Sequence, residues 1–151
     1  EKITWKERLK SVAVRLLEER VRAATAAMQQ AQEAANSEDK SSAGDKYETA
    51  RAMGQLERDM NARQADEAAR ELVQLQVLDV SKTSGKIKPG VCVVTDQQQY
   101  FISAGLGMQE VDGRKIGFLS PGSPLAVEMK GKKAGDKIRF RENAVYIREV
   151  Y

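Results

Sequence analysis

The sequence predicts an α+β protein in which a long antiparallel helical hairpin, residues 1–78, precedes a small β-rich domain, residues 79–151. Two long segments repeat their apolar residues at helical spacing, and neither contains a proline. A polar break over residues 36–48 separates them, and a break of this size between two helices predicts a hairpin with the break at its tip. Beyond residue 78 the apolar period falls to two and turn residues recur, which indicates short strands.

The first arm of the helical hairpin is predicted over residues 3–35. Leucines such as Leu9 and Leu16 supply its apolar stripe near the base, and alanines between Ala23 and Ala35 replace them towards the tip. Because small side chains let two helices approach closely, we expect the half of the hairpin near the tip to be narrow.

The second arm is predicted from residue 44 or 45 to residue 76, with one apolar stripe along its length. That stripe contains Tyr47, Ala50, Met53, Leu56, Met60, Ala65, Ala68, Leu72 and Leu75. Folding the chain at about Lys40 places Met28 near Met53, so the two stripes should meet as in an antiparallel coiled coil.

About five strands and one short helix are predicted in the β-rich domain. The strands fall at residues 90–95, 98–104, 115–119, 137–141 and 144–150, with turn residues such as Asp112-Gly113 between them. Ser123 and Pro124 predict the start of a helix over residues 125–129, with the serine as N-cap and the proline in the first turn. The aromatic residues on the strand patterns are predicted in the core: Tyr100, Phe101, Phe118, Phe140 and Tyr146.

The composition excludes several classes of catalytic and metal site. The chain has no histidine and one cysteine, so it lacks Ser-His-Asp and Cys-His catalysis, the usual zinc sites and any internal disulfide. Cys92 lies in an apolar, β-branched run and is predicted to be a buried small hydrophobe. Any chemistry must come from carboxylates, lysines, hydroxyls or the backbone.

Charge is unevenly divided along the chain. Residues 1–78 carry 13 Lys and Arg against 14 Asp and Glu, whereas residues 79–151 carry 12 against 8, which suggests two modules with different partners. No apolar run approaches the roughly 20 residues of a membrane span, and no basic-then-apolar leader opens the chain. We therefore expect a cytoplasmic protein with no membrane contact, and we expect it to act as a monomer.

A basic run lies near the end of the β-rich domain: Lys130, Lys132, Lys133, Lys137, Arg139 and Arg141. Nucleic acid, an acidic partner surface and plain solvent are all compatible with such a run, and a solvated face is the commonest outcome. The sequence shows no aromatic stacking platform interleaved with it.

Three acidic residues crowd the predicted tip of the helical hairpin: Glu38, Asp39 and Asp45. Loop solubility alone accounts for all of them. Asp45 also suits the N-cap of the second arm, with Glu48 three residues on completing a capping-box-like pair. No helix start needs Asp39, which makes it the better candidate for a dedicated role. Ser41 and Ser42 either shape the turn or hydrogen-bond a phosphate.

Short motifs in the second arm and in the β-rich domain are similar to those of one known family. The β-rich domain contains Ser123-Pro124-Leu125-Ala126, Gly131-Lys132, Gly135-Asp136-Lys137-Ile138 and Val145-Tyr146-Ile147. In the second arm, Tyr47 is followed by Ala50-Arg51. With these motifs on a helical hairpin and a β-rich domain, nearly the whole chain resembles the Gre-type transcript cleavage factors of bacterial RNA polymerase.

The resemblance implies an FKBP-like fold for the β-rich domain and a hairpin that enters the secondary channel of the polymerase. It implies that tip carboxylates, here Asp39, Asp45 and Glu38, act where the 3′ end of backtracked RNA is hydrolysed. Asp39 and Asp45 would share a Mg²⁺ ion with the polymerase, so the factor has no cofactor of its own and assists a reaction that the polymerase performs. By resemblance, polymerase binding falls to Ser123, Pro124, Leu125 and Ala126, and positioning of the tip falls to Ser41, Ser42, Gly44 and Tyr47.

The tip departs from the pattern of the family. Alignment on Tyr47 without gaps places Lys40 and Ala43 where the family has its two key acids. Two interpretations therefore stay open: a factor that stimulates RNA cleavage, and a regulator or inhibitor that occupies the channel without cleavage. A third, from another class, is an isomerase or chaperone module that dimerises through its coiled coil.

Overall fold

The computed structural model describes the backbone of residues 1–38 and 44–151 and the side chains of residues 1–37 and 48–151. It confirms the predicted α+β class, because two long helices precede a six-stranded sheet. The helices are α1, Lys2–Glu38, α2, Gly44–Gln76, and α3, Pro124–Met129. The strands are β1, Cys92–Thr95, β2, Gln99–Ile102, β3, Gly107–Val111, β4, Arg114–Leu119, β5, Lys137–Phe140, and β6, Asn143–Val150.

The chain divides into two compact units. One contains Glu1–Leu16 and Gln74–Tyr151, and the other contains Leu17–Val73. The first turns of α1 and the last residues of α2 therefore belong to the unit of the sheet, while the division predicted at residue 78 stays a prediction. None of the described helices is both long and apolar enough to cross a bilayer.

The unit Leu17–Val73 is a pair of antiparallel helices joined by small side chains. Residues 20–27 of α1 line a groove with residues 61–71 of α2, whereas Ala35 lies beside Gly54. A Cβ atom built on Gly54 would stand 3.3 Å from the Cβ atom of Ala35, so the helices are in close contact there. Buried alanines line the seam: Ala24, Ala31, Ala35 and Ala68.

The apolar stripe predicted on α2 is partly wrong. Its side chains Met53, Leu56 and Met60 are 62, 66 and 58% exposed. Half-buried Gly54, Arg58 and Asn61 occupy the seam instead, at alternating spacings of four and three. The same spacing continues to half-buried Ala65 and buried Ala68, where the predicted stripe is confirmed. The seam keeps the regular spacing of a coiled coil even where this spacing falls on polar residues, and the more apolar side chains face outward.

The predicted pairing of the two arms is also wrong. A symmetric fold about Lys40 places Gly54 opposite Ala27, whereas Gly54 lies against Ala35, about two helical turns further along α1. The prediction paired residues by their distance from an assumed tip. The observed contact instead brings together the smallest residues of the two helices.

The sheet has the strand order β3-β4-β2-β1-β6-β5. Strands β2 and β4 are parallel, and every other neighbouring pair is antiparallel. Five of the strands match the sequence prediction, but β3 was not predicted. This strand lies at an edge of the sheet and buries only Val111 of its five residues, so its sequence lacks the apolar alternation of a half-buried strand.

Two-residue turns connect β3 to β4 and β5 to β6. The φ angles are 50° at Asp112 and 79° at Gly113, and 48° at Arg141 and 67° at Glu142. Positive φ at both central residues is the type I′ geometry that suits β-hairpins, and the turn predicted at Asp112-Gly113 is confirmed. The other turn lacks the glycine or asparagine that this geometry favours, so its backbone is strained.

One face of the sheet packs on α3. The core on this face consists of Ile87, Val91, Val93, Ile102, Ala126, Met129, Ile138, Val145 and Ile147. Phe101 and Phe118 are buried with their ring centroids 5.9 Å apart in an edge-to-face arrangement, as predicted for core aromatics. The same prediction is wrong for Tyr146, whose side chain is 47% exposed.

Lysines in the first turns of α1 hold this segment to its surroundings in the sheet unit. Lys6 is fully buried, and its Nζ donates a hydrogen bond to the carbonyl oxygen of Lys82 at 2.6 Å. Burial lowers the pKa of the Lys6 ammonium from its ordinary value. Lys10 donates from Nζ to the carbonyl oxygens of Gln76 and Leu78 at 3.0 and 2.8 Å, which satisfies acceptors at the C-terminal end of α2.

The turn between β3 and β4 contacts α1 as well. Nε and Nη2 of Arg8 lie 3.3 and 3.2 Å from the two carboxylate oxygens of Asp112. The hydrogen bond from Arg8 holds the pKa of Asp112 below its ordinary value. Nearby, the Arg114 guanidinium lies 4.6 Å from the centre of the Trp5 ring. Both Arg8 and Asp112 are exposed, so water and salt screen their attraction.

Replacing Leu17 by alanine should lower the free energy of unfolding by about 2–5 kcal/mol, because this fully buried side chain leaves a cavity. Leu56→Ala is the matched control, since it removes the same atoms from an exposed side chain and should change stability by about 0.5 kcal/mol or less. Urea unfolding followed by far-UV circular dichroism measures both. Equal losses in the two variants would contradict the burial of Leu17 and the outward position of Leu56.

Candidate functional site

The predicted reaction site is the tip of the helical hairpin, between α1 and α2. Several of its predicted residues lie outside the described part of the chain: Asp39, Ser41 and Ser42, and the side chains of Glu38, Asp45 and Tyr47. Glu38 is the last residue of α1, and Gly44 is the first residue of α2. The catalytic, metal-binding and positioning roles assigned to the tip therefore stay predictions.

The described residues behind the tip show how its two helices are spaced. Gly54 lies about 15 Å along the axis of α2 from Gly44, and at this point α2 lies against Ala31 and Ala35 of α1. A Cβ atom on Gly54 would also stand 3.8 Å from the carbonyl oxygen of Ala31. This contact fixes the separation of the two helices that carry the tip.

Two polar side chains support the last described turns of α1. Nε2 of Gln32 donates a hydrogen bond to Oδ1 of Asn36 at 3.1 Å, across one turn of the helix. Pairs at this spacing stabilise a helix by about 0.2–0.5 kcal/mol. The alanine-rich segment thus has a local source of helical stability besides its narrow seam.

The segment predicted to contact a polymerase forms the start of α3. Ser123 is the N-cap, as predicted, and its Oγ accepts a hydrogen bond from the backbone N–H of Ala126 at 3.3 Å. Pro124 occupies the first turn and is exposed, Leu125 is half-buried, and Ala126 is buried in the core. Pro124 is therefore accessible at the surface, and Ser123 and Leu125 are partly accessible.

A small cleft of about 90 Å³ lies beside α3. Its lining consists of Ile87, Lys88, Pro89, Ile102, Pro121, Ala126 and Lys130. The lining is mainly apolar, and Lys88 and Lys130 are exposed. The cleft therefore offers room for one aliphatic side chain next to positive charge.

Sequence reasoning did not find this cleft. Its residues come from the stretch before β1, the end of β2, the loop before α3 and α3 itself. No single stretch carries its pattern, and Ala126, the last residue of the Ser-Pro-Leu-Ala motif, is its only lining residue within a motif named above for the β-rich domain.

Cys92 is buried, as predicted. It exchanges two backbone hydrogen bonds with Tyr151, at 2.8 and 3.1 Å. Burial raises the pKa of the Cys92 thiol to about 12. At neutral pH this thiol carries almost no thiolate, so it does not serve as a nucleophile.

The candidates for a metal ligand remain those of the tip. Within the residues whose side chains are described, no group of three or more cysteine, aspartate and glutamate side chains is placed to hold a metal ion. Asp39 and Asp45, the two carboxylates predicted to share Mg²⁺, are not among these residues.

Gly54→Leu should destabilise the helical unit by about 1–3 kcal/mol, because a side chain longer than Cβ has no room against Ala35. Ala52→Leu is the matched control, since residue 52 is exposed on the same helix and the change should cost about 0.5 kcal/mol or less. Thermal unfolding followed by far-UV circular dichroism compares them. A Gly54→Leu variant as stable as the parent would show that the seam is open at this point.

Native Cys92 should react very slowly with a disulfide reagent at pH 8. With a pKa of about 12 instead of 9.0, its thiolate fraction is about a thousandfold lower than that of an ordinary cysteine. The measurement compares the reaction rate of the folded chain with that of the urea-unfolded chain. Equal rates in the two states would contradict the burial of this side chain.

Comparisons of the chain with models of protein families, with curated proteins and with solved structures found no match. The resemblance to the Gre-type factors therefore rests on the motifs quoted above, and every function assigned through it is a proposal.

Proposed function

We propose that this chain is a Gre-like transcription elongation factor of bacteria. In this proposal it binds RNA polymerase in the cytoplasm, inserts its helical hairpin into the secondary channel, and stimulates cleavage of backtracked RNA. The polymerase performs the hydrolysis, so the chain is an accessory factor without enzymatic activity of its own. Its partners are the polymerase and the nascent RNA 3′ end.

The observation that carries the proposal is the antiparallel helix pair with its seam of small residues. Helices that meet through Ala35 and Gly54 stand close together. Small residues at a contact favour the lower end of the usual range of roughly 8–10 Å between helix axes. Two helices of about 10 Å diameter at this separation make a pair roughly 20 Å wide. A helix pair of this width is suited to entering a narrow pore.

The chemistry expected at the tip fits the residue types available. The metal ion belongs to the polymerase, and hydrolysis there requires hard oxygen donors, which Mg²⁺ prefers. Asp39 and Asp45 are the oxygen donors that this chain would bring to it. The lack of histidine does not exclude this role, because carboxylates supply the required ligands.

The α3 region supports a second contact with the polymerase, outside the channel. Pro124 is exposed, and Val127, one turn along α3, is 56% exposed. The neighbouring cleft places apolar lining next to Lys88 and Lys130. This surface suits an apolar side chain of the polymerase that is flanked by acidic residues.

A non-cleaving regulator of the same channel is the alternative function. Its specific support is the presence of Lys40 and Ala43 where the family has its two key acids. Such a protein would bind the polymerase and compete with other ligands of the channel, but would leave the rate of RNA hydrolysis unchanged.

Adding the chain to stalled, backtracked complexes of the cognate polymerase should shorten the RNA faster than the polymerase alone. Asp39→Ala and Asp45→Asn should each lower this stimulation by about tenfold or more, because each removes one charged oxygen donor. The structure begins α2 at Gly44, so residue 45 lies in the first turn and not at the predicted N-cap. Asparagine has nearly the size of aspartate and also suits a helix start, so a loss in this variant reports on the charge. Gel analysis of the labelled RNA gives the cleavage rate.

Glu48→Ala is the matched control, because Glu48 is an exposed acid in the first turns of α2. This variant should keep its activity within about twofold. Polymerase binding without faster cleavage would replace the first proposal by the non-cleaving alternative. Absence of any binding to the polymerase would exclude both.

A further inference from the structure

The β5–β6 hairpin presents cations on the face of the sheet opposite its α3-packed core. In β5, Ile138 is buried in that core, while Lys137 and Arg139 are exposed. Successive side chains of a strand point to opposite faces, so these two cations share one face, about 6.8 Å apart along the strand. Arg141 and Arg148, both exposed, lie in the adjoining turn and further along β6.

An exposed aromatic ring lies on the same face. Tyr146 of β6 is the cross-strand partner of Lys137, and the Nζ atom of Lys137 lies 5.4 Å from the centre of its ring. Tyr146 is 47% exposed, so the part of the ring that Lys137 does not cover is available for stacking. We call Lys137, Arg139 and Tyr146 the basic face.

The positive charge of this region is largely unneutralised. Among the side chains that the structure describes, no carboxylate lies within 4.0 Å of the charged nitrogens of Lys137, Arg139, Arg141 or Arg148. Four acids are near in the sequence or the fold. Asp96 accepts a hydrogen bond from the backbone N–H of Tyr146 at 3.0 Å, and Glu142 is exposed in the turn. Asp136 accepts a hydrogen bond from the backbone N–H of Lys133, and Glu149 forms an ion pair with Lys2. Because Asp136 and Glu149 are engaged with other groups, the four cations stand against two remaining carboxylates, which leaves the surface positive.

We infer that the basic face binds single-stranded nucleic acid, with Lys137 and Arg139 on successive phosphates and Tyr146 stacked on a base. Cations that follow a backbone, together with an aromatic ring that takes the flat face of a base, are the recurrent means of holding single strands. A duplex hides its base faces and would leave Tyr146 without a partner. The inference does not depend on polymerase binding.

Two other roles fit part of these observations. Lysines and arginines on an edge strand such as β5 discourage pairing with another sheet, but this role has no use for an exposed tyrosine. An acidic polypeptide would also neutralise the cations, but its carboxylates offer no flat ring to Tyr146. A nucleic-acid base does. The single strand is therefore the occupant that uses all three residues of the face.

The test measures the fluorescence anisotropy of a labelled single-stranded RNA of about 20 nucleotides with the full chain. Binding should weaken steeply between about 50 and 200 mM salt, because phosphate contacts release counterions. In the Lys137→Ala/Arg139→Ala variant, the slope of log affinity against log salt should shrink by about 1.4. Tyr146→Ala should weaken binding about tenfold, whereas Tyr146→Phe should keep it within about twofold.

Lys115→Ala is the matched control, since Lys115 is an exposed lysine on β4, four strands away from β5 in the sheet. It should leave the affinity within about twofold of the parent chain. Thermal unfolding of each variant verifies that the sheet is intact, and the Tyr146→Phe variant separates stacking from any loss of fold.

Three results would overturn the inference. One is the absence of binding at the lower salt concentration. Another is binding that the variants of the basic face leave unchanged, which would assign it to cations elsewhere. The third is equal affinity for polyglutamate and RNA, which would assign the face to an acidic polypeptide partner.

Discussion

The close approach of Gly54 to Ala35 is the constraint on which the helical unit depends. A pair of helices has a single seam, so it buries little apolar area and gains little stability from packing. The alanines that bring the helices together also bury less area than leucines would. Stability must then come in part from helix propensity, which is highest for alanine, and from local pairs such as Gln32 with Asn36. The narrow seam therefore lowers the contribution of packing to the stability of the helical unit.

In the sheet unit, the contacts of α1 combine favourable apolar burial with the unfavourable burial of a charge. Leu9 and Leu75 are almost completely buried and supply the apolar contribution. Lys6 opposes it, because burial disfavours its charge and the carbonyl oxygen of Lys82 compensates only partly. Its pKa is lower in the folded chain than in the unfolded chain, so the unfolded chain binds the proton more tightly. Stability therefore rises with pH as the ordinary pKa of lysine is approached.

The sequence predicts the fold better than it predicts the faces of its elements. Both long helices, five strands and the cap at Ser123 follow from period, turn residues and capping preferences. The outward position of Leu56 does not, because the seam of α2 keeps its spacing through Arg58 and Asn61 and so overrides local hydrophobicity. Tyr146 was misplaced for a related reason: a strand alternates its faces, and an aromatic residue on the outer face looks like a core residue in sequence.

Register is what turns an ordinary edge strand into the basic face. The turn at Arg141-Glu142 pairs Phe140 of β5 with Asn143 of β6. The antiparallel pairing then continues residue by residue and places Lys137 opposite Tyr146. A slip of one residue would bury Lys137 and Arg139 and expose Ile138. The positive φ angles of both turn residues hold this register despite their strain. Buried Ile138 and the exposed cations on either side of it alternate along one strand. The turn that sets the register therefore determines both the packing of Ile138 in the core and the exposure of the cations.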